Sequence, residues 1–341
     1  LGLLTGNNRA VEATYIDTLT DEELREEITT ISIVARSKPD TKMRIVEALQ
    51  DNGEVVAVTG DGINDAPALT KADVGIAMGI AGTEVSKNAA DIILTDDSFG
   101  TIVKGIKWGR GIYENFQRFI QFQITVNIIA FLTAILSVLF DFQMPFTTIQ
   151  LLWVNIIMDG PPALSLGLEP VRDAVLRRKP TNRNASIITK QMMTSMIANA
   201  LYITGIIMVQ MKFDILGAGF PVEGATGANE MQTVVFAVFA FSSLFNAFNC
   251  REFGTNSILH NIAKNTIFLK ILAVTAVAQI FVTEVFSGFF NAVPLSTIMW
   301  LKIIGLASLI IVVNEVVKLV MRFLVKKNKQ IVSESEEKIA A

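Results

Sequence analysis

The sequence of 341 residues holds one cysteine, Cys250, and one histidine, His260. A single thiol excludes an intrachain disulfide framework. His260 falls in a polar stretch and reads as a solvated loop residue. An excess of charge of either sign is also missing. Twenty-nine Lys and Arg stand against 32 Asp and Glu, and the net charge of −3 argues against a nucleic-acid partner. The beginning, Leu1-Gly2-Leu3-Leu4, lacks a methionine and a charged leader region. It reads as an internal break in a longer protein and not as a signal peptide.

What is abundant is apolar surface. Hydrophobic residues make up 51% of the chain, and the mean hydropathy is +0.47. That is too apolar for an ordinary soluble protein. The excess is uneven. Residues 1–118, rich in Asp, Glu, Lys and Arg, read as a soluble α/β segment, and residues 119–323 read as membrane spans.

In the soluble segment, residues 31–34, 55–59, 74–77 and 92–94 read as strands. The second is a nearly continuous apolar run, as expected of a parallel strand buried on both faces. Asp40 or Thr41 caps a helix from Lys42 to about Gln50, ended by Asp51-Asn52-Gly53, and residues 83–90 read as another helix. Strand–helix alternation predicts a doubly wound α/β sheet with ligands at the carboxyl ends of its strands.

Asp61 lies two residues past such an end, inside Val56-Ala57-Val58-Thr59-Gly60-Asp61-Gly62-Ile63-Asn64-Asp65-Ala66-Pro67-Ala68-Leu69. Mg²⁺ takes a few carboxylate oxygens and completes its octahedron with water and phosphate oxygens. Asp61 is the candidate direct ligand, Asp65 a second carboxylate acting directly or through water, and Asn64 a neutral amide. Gly60 and Gly62 let the backbone turn tightly and approach the metal. Pro67 suits the first turn of the next helix. Lys42 can extend an ammonium toward the same phosphate. The plainer alternatives are a polar turn for the Asp-Gly stretch and an exposed helix lysine for Lys42.

Six apolar segments follow, at about 119–140, 149–168, 192–211, 231–248, 267–286 and 297–323, each near the ~20 residues a spanning helix needs. Lys and Arg concentrate in the loops 169–190 and 249–266 and in the tail 324–341. The loops 141–148 and 287–296 have none, and 212–230 has only Lys212. The positive-inside rule then places the soluble segment and both ends in the cytoplasm.

Asp159 lies in mid-span, where an acid costs about 2.5–3.5 kcal/mol on insertion scales and marks function by default. Gly160-Pro161-Pro162 follows at once. The prolines are expected to break the helix and free carbonyls beside the acid, as transporters do around cations. Asn155, four residues earlier, is expected on the same side, and Asn127 can add a third oxygen. Such oxygens suit a hard cation such as Ca²⁺. Hydrogen bonding between helices is the alternative, above all for Asn127.

These strings carry a resemblance. Residues 59–69 with Lys71-Ala72-Asp73-Val74-Gly75-Ile76-Ala77-Met78-Gly79, and the later Asp91-Ile92-Ile93-Leu94-Thr95-Asp96-Asp97, resemble the hinge region and domain end of the P-type cation ATPases. Phe119-Ile120-Gln121-Phe122-Gln123-Ile124-Thr125-Val126-Asn127 and Leu151-Leu152-Trp153-Val154-Asn155-Ile156-Ile157-Met158-Asp159 resemble two helices of the calcium-pumping members, nearest the plasma-membrane, calmodulin-type branch.

The resemblance implies a partial haloacid-dehalogenase-like phosphorylation domain over 1–97, a stalk helix over 98–118, an all-α bundle of six transmembrane helices over 119–323 and a cytoplasmic tail over 324–341. It implies that Lys42 contacts the phosphoryl group, that Asp61, Asn64 and Asp65 with Gly62 organise Mg²⁺, and that ATP is the fuel. It also implies a single Ca²⁺ site on Asn127, Asn155 and Asp159, since Ala130 stands where two-site pumps carry a glutamate. The stalk would couple the Asp61–Asp65 turn to Asp159. The implied surroundings are membrane lipid, the transported cation and the remainder of the same pump, in the plasma membrane.

No Asp-Lys-Thr-Gly-Thr motif occurs, so this stretch alone is expected not to turn over ATP. No long basic amphipathic helix is visible in the tail. Two other readings stay open: a relative moving H⁺, Mn²⁺, Mg²⁺ or Na⁺, and a non-catalytic truncated membrane paralogue.

Overall fold

The structure, a computed structural model, describes residues 4, 6, 8–182, 184–221, 227–254, 256–258 and 262–340, with side chains described up to residue 323. His260, expected as a solvated loop residue, lies outside the described residues. The chain divides into two compact units, residues 1–110 with 173–186, and residues 111–172 with 187–341.

The first unit opens with β1 (Arg9–Glu12), α1 (Ala13–Thr18), α2 (Asp21–Glu27), β2 (Ile31–Ala35) and α3 (Pro39–Asp51). A reciprocal capping box between Thr20 and Glu23 starts α2, and Pro39 occupies the first turn of α3. Ile16, Leu24, Ile28 and Ala48 form a small core between these helices. Next come β3 (Ala57–Gly60), α4 (Ala66–Lys71), β4 (Val74–Met78), α5 (Glu84–Ala89) and β5 (Ile92–Leu94). All pairings are parallel, with Thr59 opposite Ile76 and Ala77 opposite Ile93.

Two expectations are corrected. The strands form two ladders, β1-β2 and β3-β4-β5, and among the described residues none joins β2 to β3. The apolar strands are also not covered on both faces: Val55, Ile92 and Ile93 are each about half exposed. The reason is the shortage of helical cover, because α4 and α5 have only six residues each.

The helix α6 (Phe99–Leu139) takes in the expected stalk and first span as one uninterrupted helix of 41 residues, about 60 Å long. The second unit continues with α7 (Thr148–Trp153), a π-helical turn over Val154–Asp159, α8 (Gly160–Leu166), α9 (Lys190–Phe213), α10 (Glu230–Arg251), α11 (Thr266–Val285) and α12 (Thr297–Ala340). Among the described residues, five helices are long and apolar enough to cross a membrane: Phe99–Leu139, Lys190–Phe213, Glu230–Arg251, Thr266–Val285 and Thr297–Phe323.

The sixth expected segment is not one regular helix, and the expected break at the prolines is not a break. Pro161 and Pro162 sit in the first turn of α8, where a missing N–H does little harm. The widened π turn before them absorbs the misfit.

α10 is the centre of its unit. Its apolar window is 89% buried, against 22–39% for the other four helices, so the others pack around it. Its phenylalanines pack internally, Phe239 on Phe146 and Phe248 edge-on to Phe268. Alanines and serines between them admit close neighbours.

One end of α10 carries a buried polar layer. Arg251, with 0% exposure, donates from Nε to Glu169 Oε1 at 3.0 Å and from Nη1 to the Ile258 carbonyl at 2.9 Å. Glu169 Oε2 accepts from Asn265 at 2.8 Å. Arg118 on α6 donates to the Arg251 carbonyl, and Lys318 on α12 to the Glu252 carbonyl, both at 2.9 Å. Arg172 pairs with Glu252. Arg172 and Arg251, which the sequence reading counts among the loop charges, are therefore paired with carboxylates. Arg251→Met should lower stability by about 3–5 kcal/mol, because it leaves buried carboxylates unmatched, and Glu169→Gln in the same chain should restore much of the loss. Thermal unfolding of the detergent-solubilised protein measures both.

Candidate functional site

The loop after β3 is built around Asp65. One carboxylate oxygen accepts the backbone N–H groups of Asp61 at 3.2 Å and Gly62 at 3.1 Å, and the other accepts the Lys42 ammonium at 2.5 Å. Lys42 reaches it from the first turns of α3. A side chain on Gly60 would collide with Asp65, so glycine is required there to admit that carboxylate and not to approach a metal. Gly62 adopts an extended φ of −102° that any residue can take.

Burial pushes the Asp65 carboxyl up, and the Lys42 ammonium with the Gly62 and Asp61 N–H groups pulls it down by more, so it lies below the usual carboxylate range. The Asp61 backbone is pinned from the other side. Its carbonyl accepts the Thr83 N–H at 2.9 Å and the Ser86 hydroxyl at 3.1 Å, at the start of α5. Asp61's own carboxylate is exposed and makes no hydrogen bond or ion pair among the described residues, and Asn64 is exposed beside it.

The structure thus brings Lys42, Asp61, Gly62 and Asp65 together and divides their work. Asp65 accepts three protein donors, two on one oxygen and one on the other. Asp61 keeps two free carboxylate oxygens at a strand's carboxyl end. That donor chemistry fits Mg²⁺. Among the described residues no group of three or more His, Cys, Asp or Glu side chains forms a metal cluster, so a metal here needs oxygens from elsewhere. Sequence reading missed Thr83 and Ser86, although Thr83 ahead of Glu84-Val85-Ser86 is a helix-capping signal. It also missed how Asp97 holds the next loop, accepting the N–H groups of Gly79 at 2.6 Å, Ile80 at 3.1 Å and Ala81 at 2.7 Å.

The second constellation lies in the π turn. Asp159 is 1% exposed, and neither carboxylate oxygen has a hydrogen-bond partner. The turn is anchored on its N-terminal side: Gln150 donates to the Phe290 carbonyl and Trp153 to Gln279, at 2.9 and 2.8 Å. Asn127 and Asn155, expected beside Asp159, are exposed, and Asn127 donates to the Gln123 carbonyl of its own helix at 2.9 Å. The expectation that Asn155 and Asp159 share one environment is corrected. One is exposed and the other buried, because the wider π turn shifts their angular offset from that of an α-helix.

An α/β unit with a lysine-clamped aspartate loop, followed by apolar helices around a buried acid, defines a membrane protein carrying a hydrolase-like unit. A family described as "haloacid dehalogenase-like hydrolase" matches residues 1–73, and one described as "Cation transporting ATPase, C-terminus" matches residues 143–320. The chain belongs to the cation-transporting ATPase family. It is 40% identical over 319 residues to "Probable calcium-transporting ATPase 6, plasma membrane-type" of Oryza sativa subsp. japonica, covering 93% of this chain and 31% of the relative. It is 40% identical over 322 residues to "Calcium-transporting ATPase 4, plasma membrane-type" of Arabidopsis thaliana, covering 94% and 31%. With "Calcium-transporting ATPase 9, plasma membrane-type" of the same plant it shares 38% identity over 315 residues, covering 90% and 29%. The chain therefore spans about a third of the length of these relatives.

A carboxyl group whose pKa is depressed on folding stabilises the fold above its unfolded value, about 3.9 for Asp, and loses that contribution as pH falls through its folded value. Amide exchange at Asp61 and Gly62 should accordingly speed up below about pH 4 relative to other protected amides. Asp65→Asn should show the faster exchange already at neutral pH. Equal protection in the two proteins would disprove the clamp.

Proposed function

We propose that the chain is the C-terminal part of an ATP-driven pump that moves Ca²⁺ out of the cytoplasm through an aspartyl-phosphate cycle. The observation that carries the reading is the buried Asp159 carboxylate with no donor on either oxygen. A buried acid of this kind needs a cation or a proton to be tolerated. Family membership, and relatives whose names say calcium-transporting, favour Ca²⁺.

In this reading Asp159 supplies the charged oxygens of a single Ca²⁺ site, with Asn127 and Asn155 as amide ligands that turn inward against the remainder of the same pump. The residues over 149–168 cross the membrane despite the π turn, which makes six spans. In this reading the first unit and both ends of the chain lie on the cytoplasmic side, where ATP is, and the loop charges support that orientation. Asp61, with Asn64 beside it, would hold Mg²⁺, which when bound supplies positive charge to a phosphoryl group. Lys42, held in place by Asp65, directs its ammonium toward that group, and Gly62 lends a backbone N–H to the Asp65 clamp.

In the full-length protein, Asp159→Asn should reduce Ca²⁺-stimulated ATP hydrolysis and Ca²⁺ uptake into inside-out vesicles at least about a hundredfold, as expected on loss of the one charged ligand. Phosphorylation from inorganic phosphate without Ca²⁺ should persist. Ca²⁺ uptake close to wild type in Asp159→Asn, or stimulation of the wild type by another cation alone, would refute the assignment.

A further inference from the structure

Three residues past β5, Asp97 takes a left-handed backbone with φ of +46°, a conformation that Asp and Asn adopt more readily than most residues. Its carboxylate turns onto the loop 79–83, which joins β4 to α5. One oxygen accepts the N–H of Ile80 at 3.1 Å and that of Gly79 at 2.6 Å, the latter shared with the Leu94 carbonyl at 2.7 Å. The other oxygen accepts the N–H of Ala81 at 2.7 Å. Ile80 and Ala81 are exposed, so packing does little to hold them. Three successive N–H groups converging on one carboxylate hold the loop by charge instead.

The far end of that loop meets Asp61. Thr83 donates its N–H to the Asp61 carbonyl at 2.9 Å. Ser86, whose N–H the Thr83 hydroxyl accepts at 3.2 Å, brings its own hydroxyl to 3.1 Å from the same carbonyl. That hydroxyl proton has a second acceptor in the Thr83 carbonyl at 2.8 Å, so the Thr83 N–H is the constant donor. Asp65 already accepts the N–H groups of Asp61 and Gly62. Both peptide planes that flank the Asp61 Cα are then held, and only rotation about its side-chain bonds remains.

We infer that Asp97 is a positioning residue for the phosphoryl-site metal, holding Asp61 in place through the loop 79–83 and the Thr83 N–H. This rests on the reading of Asp61 as the Mg²⁺ ligand. Asp97 acts on the metal only through Asp61, by keeping the backbone that carries the ligand pre-set. Removal of such supporting partners costs about ten- to a hundredfold in metal affinity or activity.

The test uses the full-length protein and two readouts. The first needs no metal: in Mg²⁺-free buffer the Thr83 amide should exchange at least about tenfold faster in Asp97→Ala than in wild type. The second is the Mg²⁺ concentration that half-saturates phosphorylation from inorganic phosphate. Asp97→Ala should raise it about ten- to a hundredfold, and the Ca²⁺ concentration that half-saturates phosphorylation from ATP at saturating Mg²⁺ should stay within about twofold, whereas general misfolding moves both. Asp97→Asn keeps an oxygen for Gly79 and Ile80 but sets an NH₂ against the Ala81 N–H, and it should raise the Mg²⁺ value severalfold. A Mg²⁺ value within about twofold of wild type in Asp97→Ala overturns the inference, as does unchanged Thr83 exchange, which would break the route through the loop. If Asp97→Ala misfolds, the same result in Asp97→Asn overturns it. An unchanged Mg²⁺ dependence in Asp61→Asn overturns the reading of Asp61 itself, and so is distinguishable from failure at Asp97.

Discussion

A guanidinium with no exposed surface dictates much of the second unit. Arg251 ends the central helix α10 inside the protein, and its charge can be accommodated there only if acceptors converge on it. They do so from separate segments. Glu169 comes from just beyond α8, and the Ile258 carbonyl from the loop after α10. Asn265, the cap of α11, holds the other oxygen of Glu169 and fixes its direction. Arg118 on α6 takes the Arg251 carbonyl, and Lys318 on α12 the next one along. The layer thus sets four long helices and the end of α8 in one register, which apolar packing alone, being non-directional, does less sharply. Asp159 lies ten residues before Glu169 on a short helical path, so the fixed layer limits where that carboxylate can sit.

The prolines act through the same logic of unmatched groups. Two residues without an N–H leave carbonyls of the preceding turn without helical donors. A regular α-helix would leave them stranded in apolar surroundings. The π turn over Val154–Asp159 spreads the misfit and keeps the segment helical, held in place by Gln150 and Trp153.

Much of this could be read from the sequence. The strands at 31–35, 57–60, 74–78 and 92–94, the helix after Lys42 and five of the six apolar segments were all legible, because apolar periodicity and Gly/Asp punctuation are local signals. The pairing of Lys42 with Asp65 was half legible, since one was a candidate for the phosphate and the other for the adjoining Mg²⁺, but their mutual bond depends on a contact across 23 residues. β1 was missed because four residues with charge at both ends carry little strand signal. The roles of Arg172 and Arg251 were also hidden. Loop arginines look alike in sequence whether water or a buried carboxylate answers them, and only tertiary packing brings Glu169 and Glu252 to them.

The two aspartates at the heart of the reading show why residue type alone does not set a role. Asp65 is surrounded by donors: two backbone N–H groups and an ammonium. Those three donors make it a rigid part of the loop. Asp159 is more deeply buried, at 1% exposure against 8%, and neither of its oxygens accepts a well-formed hydrogen bond. A carboxylate in that condition is destabilising unless something charged and mobile arrives, and the protein tolerates it because the surrounding helices are fixed by other contacts. Asp61 is the intermediate case, with its backbone tied on two sides and its carboxylate exposed. Under the proposed function, a ligand of a phosphate-bound metal needs a rigid chain and a free side chain, and the Asp65 clamp provides the first while Asp61 keeps the second.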